Sequence, residues 1–295
     1  MRRDKVLRFL GIAFVVGAFL GLVAGLAFGG PGTDTGTPKV VAPVSGRSNS
    51  AAGAASGNTS STFSGPMTAA KASAMGANEL GEVPVLLYQE ISTDRGDGIR
   101  SPADLAKDID LLKSEGFQPI NLRDLASGNI DILAGMSPVV LTFDDSALTQ
   151  YNIVDDGTLD PQSAVGILQA AVDSGGWAAK ATFYCLLDVR SKDLELFGQS
   201  DRQQEKLRNL VDWGYEIGSN TVSNLNLNKA YAPDVQKELG DSQTRLQDLI
   251  GGGYQVISLS VPSGEYPANE SLLVSGTYNG KAYKYTSAVT LGDTL

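Results

Sequence analysis

Two adjacent carboxylates, Asp144 and Asp145, directly follow the apolar run at residues 139–143. A carboxylate at the end of a buried strand is costly unless it is paired or bound to a metal. Adjacent side chains point in different directions, so one of the two could ligate a metal while the other faces a water. A solvated turn is an equally good interpretation of the spacing alone, because Asp and Ser favour turns.

Two further segments carry polar side chains that could join such a site. Asn220 and Asn224 are four residues apart, a spacing that places two side chains on one face of a helix. Two His at that spacing would make a good zinc pair, whereas two Asn would not, and an Asn-rich loop is the simpler interpretation. The turn at Pro262, Ser263 and Gly264 follows a predicted strand end and indicates little by itself.

Composition excludes several kinds of chemistry. The chain of 295 residues contains no His, which rules out catalytic triads with a His base and His metal ligands. Its one cysteine, Cys185, lies in an apolar run and reads as a buried hydrophobe, and no intramolecular disulfide is possible. The net charge of −10 repels phosphate backbones, so we expect no nucleic-acid partner.

The elements that must position these side chains alternate between strands and helices. Apolar runs predict strands at residues 83–87, 138–142, 181–187, 256–261 and 283–291. Amphipathic patterns predict helices that begin at Ser101-Pro102 and at Pro161, and two more around 207–214 and 235–251. This alternation indicates an α/β fold with a parallel sheet or barrel, in which the chemistry lies at the carboxyl ends of the strands.

The first 80 residues have a different character. Residues 9–30 are uncharged, apolar and long enough to cross a bilayer, and the basic residues Arg2, Arg3, Lys5 and Arg8 precede them. Residues 1–30 therefore predict a cytoplasmic tip and a single-pass anchor, with the C-terminal domain outside the cytoplasm. Secretion after signal cleavage is the alternative. Residues 31–80, rich in Gly, Ser, Ala and Pro, predict a disordered linker, and residues 81–295 the folded domain.

Five segments, in this order, resemble the polysaccharide deacetylase family (carbohydrate esterase family four, the NodB-homology domain). The resemblance covers roughly residues 83–290. The segments are 83–91 (VPVLLYQEI), 141–146 (LTFDDS), 180–184 (KATFY), 216–224 (EIGSNTVSN) and 260–264 (SVPSG).

The resemblance implies a deformed (β/α) barrel and a divalent metal, usually zinc, held by one Asp and two His. It makes Asp145 the metal carboxylate and Asp144 the catalytic base, and it places Asn220 and Asn224 at the two His positions. The residues Pro262–Gly264 would line the substrate groove. An Asn amide is a weak zinc ligand, so we expect weak metal binding.

Other positions also depart from the family pattern. Ser146 stands for its usual Gly, Ser260 for its Arg and Ser263 for its aromatic residue, and its late His has no counterpart before the chain ends, where relatives continue. Three hypotheses follow. The chain is a deacetylase that removes N- or O-acetyl groups from an envelope glycan, with impaired activity; or a catalytically inactive protein that binds acetylated polysaccharide; or an anchored scaffold for another envelope protein.

Overall fold

The computed structural model describes residues 11–15, 83–94, 96, 98–189 and 194–291, all of which belong to one compact unit. The strands are β1 Gly11–Val15, β2 Val85–Tyr88, β3 Glu90–Ile91, β4 Ile99–Arg100, β5 Phe117–Ile120, β6 Ser137–Phe143, β7 Thr182–Cys185, β8 Glu216–Ser219, β9 Ser258–Ser260, β10 Ser275–Tyr278, β11 Lys281–Lys284 and β12 Ser287–Leu291. The helices are α1 Pro102–Ser114, α2 Leu122–Ser127, α3 Ala164–Asp173, α4 Gln203–Trp213, α5 Ala232–Ile250 and α6 Ser271–Val274.

The main sheet has eight strands in the order β2-β1-β12-β9-β8-β7-β6-β5, and β2 also pairs with β6. Its strand pairs are parallel, except for the two antiparallel pairs that β1 makes with β2 and β12. The β2–β6 pairing makes the sheet curl back on itself. The predicted α/β class is therefore confirmed; where the resemblance implies a deformed barrel, the structure has a curled, mainly parallel sheet. The carboxyl ends of the parallel strands meet at one edge.

The two faces of the curled sheet bury different side chains, because successive strand residues point to opposite sides. A small cluster that includes Val85, Val140, Tyr184 and Val289 fills the inside. Tyr184 fits there because β8 carries Gly218, where a Cβ atom would lie 2.5 Å from the Tyr184 ring. The outer face joins the helices in a larger core; its members include Leu141, Phe143, Phe183, Ile217, Leu259, Leu105, Leu168, Leu207 and Leu239.

Local sequence explains where the first helices begin. Ser101 caps α1 as predicted, since its Oγ accepts a hydrogen bond of 3.1 Å from the Asp104 amide, and Pro102 is the first helical residue. The prediction that Pro161 opens the next helix is wrong by one turn. Ser163 caps α3, with its Oγ accepting from the Gly166 amide at 3.1 Å, and the helix begins at Ala164.

The strand predicted over residues 283–291 is two strands in the structure. β10 and β11 form an antiparallel hairpin whose turn contains Asn279 and Gly280, both with positive φ. The chain then changes direction at Tyr285, whose amide donates to the Val274 carbonyl, and β12 joins the main sheet beside β9. The sequence has a single apolar run here because both strands bury part of their side chains.

The predicted membrane anchor is described only in part. Five of its residues, Gly11–Val15, form β1 and are extended rather than helical, because their backbone groups pair with the edges of β2 and β12. The rest of residues 9–30, and the predicted linker at 31–80, lie outside the described residues. None of the helices that the structure describes is long and apolar enough to span a bilayer.

Candidate functional site

A cavity of about 140 Å³ opens at the carboxyl edge of the curled sheet. We call it the Asp144 cavity. The strands β2, β6, β8, β9 and β12 all end at its wall, as expected for an α/β fold. Its lining residues are Leu87, Gln89, Asp144, Asp145, Asn220, Asn224, Ser260, Val261, Pro262, Ser263, Val289 and Thr290.

Asp144 lies deepest among the acidic residues of the cavity, with 9% of its surface exposed. Its Oδ2 accepts a hydrogen bond of 2.6 Å from the Ser260 hydroxyl, whereas its Oδ1 is buried and has no hydrogen-bond partner. Burial raises the pKa of Asp144 to about 7; the bond from Ser260 lowers it and the charge of Asp145 raises it. The carboxyl can therefore gain or lose a proton near neutral pH, which suits a general base.

Asp145 is held by one of the residues predicted to share its metal. The Asn220 side chain donates from Nδ2 to Asp145 Oδ1 at 3.0 Å. Asn220 is itself buried, and its backbone amide donates to the Cys185 carbonyl at the end of β7. Burial raises the pKa of Asp145, and the bond from Asn220 lowers it. The structure thus joins residues 75 positions apart, because they follow two strands that each pair with β7.

The second predicted Asn occupies a different setting. Asn224 lines the cavity but is exposed, and it lies in a turn rather than on a helix. Its φ of 58° is left-handed, and its amide donates to Thr221 Oγ1 at 3.2 Å. The four-residue spacing that suggested a helical face therefore reflects a tight turn, which still brings both Asn residues to the same cavity.

The turns around the cavity contain several non-glycine residues with left-handed backbone. They follow β6, β8 and β9, and they are Asp145, Ser146, Thr221, Asn224 and Ser263. Such conformations cost free energy and persist only where surrounding contacts fix them, often at functional sites. Ser146 shows how this is done: its Oγ donates to the Leu194 carbonyl at 2.8 Å and accepts from the Leu186 amide at 3.0 Å.

The turn predicted to line the groove does so in part. Pro262 and Ser263 line the cavity, while Gly264 is not among the lining residues. Gly264 instead closes the turn, because its amide donates to the Val261 carbonyl at 3.0 Å and its φ is 68°. Gly264 therefore determines the backbone shape of the turn and does not line the cavity.

Two residues with structural importance here were not identified from the sequence. Gln150 is fully buried, and its Nε2 donates to the carbonyls of both Asp144 and Gln89, which ties the ends of β6 and β2 together. Thr290 lines the cavity from β12, and its buried Oγ1 has no hydrogen-bond partner. Neither belongs to a motif, and only the strand order brings them to the site.

The residues present do not fit the zinc ion that the resemblance implies. Asn220 presents an amide N–H to Asp145, so a hydrogen-bond donor occupies the position where a shared cation would have to lie. Asn oxygens are neutral, whereas zinc in proteins is bound by thiolate, imidazole and carboxylate ligands. No group of three His, Cys, Asp or Glu that could hold a metal occurs in the part of the chain that the structure describes.

Part of the chain is similar to a known protein family. Residues 134–275 match the family model described as polysaccharide deacetylase, and this range contains every site residue predicted above. No curated protein matches the chain.

Solved structures of deacetylases are also similar. A polysaccharide deacetylase from Bacillus cereus is 23% identical, with a TM-score of 0.48, over 63% of this chain and 52% of that one. This chain thus spans about half the length of the Bacillus cereus protein. A Streptococcus pyogenes deacetylase in complex with acetate is 22% identical, with a TM-score of 0.48, over 70% of this chain and 90% of that one.

Proposed function

We propose that this chain is a polysaccharide-binding protein of the cell envelope, built on a deacetylase-type domain that no longer performs metal-dependent deacetylation. The observation that carries the proposal is the hydrogen bond of 3.0 Å from Asn220 to Asp145. It satisfies the carboxylate with a neutral donor at the position where the family resemblance requires a metal.

The loss of the metal removes the chemistry that depends on it. A bound divalent ion would polarise the acetyl carbonyl and lower the pKa of an attacking water. Asp145 and two amides cannot hold zinc with the affinity of one carboxylate and two imidazoles. Asp144 alone could still accept a proton, but nothing among the described cavity residues replaces the Lewis acid.

The retained cavity supports a binding role. Its walls come from the ends of five strands, and its turns are held in left-handed conformations by specific hydrogen bonds. Two residues that line the cavity, Asp144 and Thr290, each have a buried oxygen without a hydrogen-bond partner, which a scaffold role alone does not explain. The family match supports a polysaccharide as the ligand class.

The test measures binding and turnover on the same preparation of the full chain. We expect partially acetylated amino-sugar oligosaccharides to bind in isothermal titration calorimetry, with no release of acetate and no zinc above background by elemental analysis. An Asp144→Asn variant should bind less well, whereas Asp248→Asn, which removes an exposed carboxylate on α5, should bind like the parent. No binding of any such oligosaccharide would instead favour the scaffold hypothesis.

A metal-dependent deacetylase is the second candidate, and one observation favours it. Asp144 and Asp145 remain side by side in the cavity, and burial raises the pKa of Asp144 to about 7, which suits a general base. This candidate predicts release of acetate that increases with added zinc and is lost in both Asp144→Asn and Asp145→Asn. Zinc-stimulated turnover would overturn the proposal above.

The proposed location rests on the sequence. Residues 9–30 provide an apolar stretch of bilayer length, preceded by a basic cluster. We propose that the chain is a single-pass membrane protein with its domain outside the cytoplasm, where a polysaccharide ligand would be accessible. Secretion after cleavage of the same stretch is the alternative.

A further inference from the structure

The Asp144 cavity has an unusual balance of charge. It contains two carboxylates, and none of the described residues that line it is Lys or Arg. Two other buried carboxylates lie next to a cation: Asp108 pairs with Arg100 at 2.5 Å, and Glu216 lies 3.4 Å from Arg123. The cavity therefore holds negative charge without a cation of its own.

The hydrogen-bonding capacity of the cavity is also incomplete. Asp144 is nine-tenths buried, and its Oδ1 lacks a partner, although Oδ2 accepts from Ser260. Thr290 lines the same cavity from β12, and its Oγ1 is buried and unpartnered as well. A buried carboxylate oxygen without a donor carries the full cost of its lost hydration, so this wall is complementary to a ligand that brings N–H donors and positive charge.

We propose that the cavity binds the primary ammonium group of an unacetylated amino sugar in preference to the acetamido group of its acetylated form. The inference rests on the proposed polysaccharide-binding function and specifies the chemical form of the ligand. An ammonium group supplies three N–H donors and the missing charge. It can donate to the carboxylates of Asp144 and Asp145, which both line the cavity.

The acetylated forms match this cavity less well. An acetamido group brings one N–H donor together with a carbonyl oxygen, which two nearby carboxylates disfavour. An O-acetyl ester brings no donor at all, and Asp144 Oδ1 would stay unpaired. A site with buried polar groups discriminates strongly against ligands that leave those groups without partners.

A divalent cation is the competing way to neutralise the cavity. Asn220 argues against it, because its Nδ2 donates to Asp145 Oδ1, and this oxygen is therefore not free to join Asp144 in chelating a divalent ion. The ammonium group needs acceptors only, and it can use the oxygens that Asn220 leaves available. Calcium, magnesium and zinc are therefore tested as alternative occupants of the cavity.

The test compares a glucosamine tetrasaccharide with its fully N-acetylated counterpart in calorimetric titrations of the full chain, at a pH where the amines are protonated. We expect the unacetylated form to bind about tenfold or more tightly, because a hydrogen bond to a charged group is lost in the other. Asp144→Asn should remove most of this preference, whereas Asp248→Asn should retain it. Thermal unfolding of each variant checks that it is folded, and the comparison of the two sugars on the parent protein needs no variant.

The other possible results separate a failure of this inference from a failure of the proposed function. Equal or tighter binding of the acetylated form overturns the inference and leaves the proposed function standing. Failure of both forms to bind overturns the two together. Binding of calcium, magnesium or zinc that displaces the sugar and is lost in Asp144→Asn would make the cavity a metal site and would also overturn the inference.

Discussion

Asp144 and Asp145 are neighbours in the chain, but their surroundings give them different properties. Asp144 follows the last residue of β6 and has one buried oxygen without a hydrogen-bond partner, and burial raises its pKa to about 7. Asp145 turns away through a left-handed backbone and is held by the Asn220 amide. One carboxyl is thus available to a ligand, while the other is fixed by the protein.

The double substitution Asn220→His with Asn224→His should create a zinc site together with Asp145. Both Asn side chains line the same cavity as Asp145, and imidazole is a far better zinc ligand than an amide. We expect zinc to co-purify with the variant near one ion per chain, as measured by elemental analysis. Adding Asp145→Ala should abolish this binding. A folded double variant that gains no zinc affinity would show that the assignment of the two positions is wrong.

The raised pKa of Asp144 has a consequence for stability. The pKa rises from the ordinary 3.8 to about 7 on folding, so between these pH values the folded chain keeps a proton that the unfolded chain releases. Asp144 therefore lowers the free energy of unfolding as pH rises through this window, at about 1.4 kcal/mol per pKa unit, and the loss is complete above it. Below the window the carboxyl is protonated in both states and no longer contributes to the pH dependence of stability.

Asp144→Asn should consequently be more stable than the parent protein above pH 7 and similar to it near pH 4. Urea unfolding at a series of pH values measures the difference, which should grow over the window where Asp144 titrates and reach a few kcal/mol. Asp248→Asn, at an exposed position on α5, should follow the parent profile. A constant difference between Asp144→Asn and the parent at all pH values would contradict the raised pKa.

The sequence predicted those residues of the site that belong to recognisable motifs, and it missed the others. Asp144, Asp145 and Asn220 follow the parallel strands β6 and β8, which lie on either side of β7. The bond from Ser260 to Asp144 joins residues 116 positions apart and depends on where β9 and β6 lie in the curled sheet, which the sequence does not reveal. Thr290 and Gln150 were missed for the same reason.

At the scale of elements, the end of the sheet opposite the cavity is held by a buried ionic network. Glu216, the first residue of β8, accepts hydrogen bonds from the Arg123 amide at 2.8 Å, Thr182 Oγ1 at 3.0 Å and Ser258 Oγ at 2.7 Å. The Arg123 guanidinium lies 3.4 Å away and also donates to Tyr254. This network ties α2, β7, β8 and β9 together where the parallel strands begin.

Glu216→Ala should destabilise the domain by about 3–5 kcal/mol, because it leaves several buried donors and the partly buried Arg123 charge without their acceptor. Glu216→Gln should cost less, since the amide oxygen can still accept. Urea unfolding at neutral pH measures both. The matched control is Glu205→Ala on α4, whose exposed ion pair with Arg202 should contribute less than about 1 kcal/mol. Equal losses in the Glu216 and Glu205 variants would contradict the structural role of the network.

Elements with a strong apolar run or a clear cap were predictable, and short ones were not. The run at residues 138–143 and the Ser101-Pro102 start signal correspond to β6 and α1. β8 was missed because its four residues are Glu, Ile, Gly and Ser, which do not form an apolar run. On the inside of the sheet, Gly218 leaves room for the Tyr184 ring, and Glu216 accepts hydrogen bonds from Thr182 and Ser258. This strand therefore contributes small and polar residues that resemble a loop in the sequence.

At the scale of the whole molecule, the domain has two ends with different tasks. The end where the parallel strands begin carries the compensated network around Glu216, and the end where they finish carries an uncompensated cavity. Both ends belong to the same eight-stranded sheet. We interpret the end with paired charges as the part that stabilises the domain, and the end with unpaired carboxylates as the proposed ligand site. The overall net charge of −10 would favour the cationic ligand that we propose.

The N-terminal stretch can satisfy its backbone in two ways that exclude each other. Gly11–Val15 forms β1 between β2 and β12, and the same residues belong to the apolar stretch 9–30 that we propose as a membrane anchor. A spanning helix satisfies its backbone groups internally, so residues 11–15 would have to leave the sheet in a bilayer. β2 would keep its parallel pairing with β6 in either arrangement.

Cysteine labelling in intact cells can decide between these arrangements, since Cys185 is the single cysteine and is fully buried. We expect a membrane-impermeant maleimide to label Ser64→Cys in the predicted linker and Ser200→Cys on the domain surface, and not to label Arg3→Cys until the cells are permeabilised. The parent protein, with Cys185 alone, should stay unlabelled throughout and serves as the control. A chain that lacks residues 1–30 should leave the membrane fraction and still fold, because the parallel strands do not require β1 to pair with one another. Labelling of Arg3→Cys in intact cells, or recovery of the full-length chain in the soluble cytoplasm, would rule out the anchor and leave β1 as the role of this stretch.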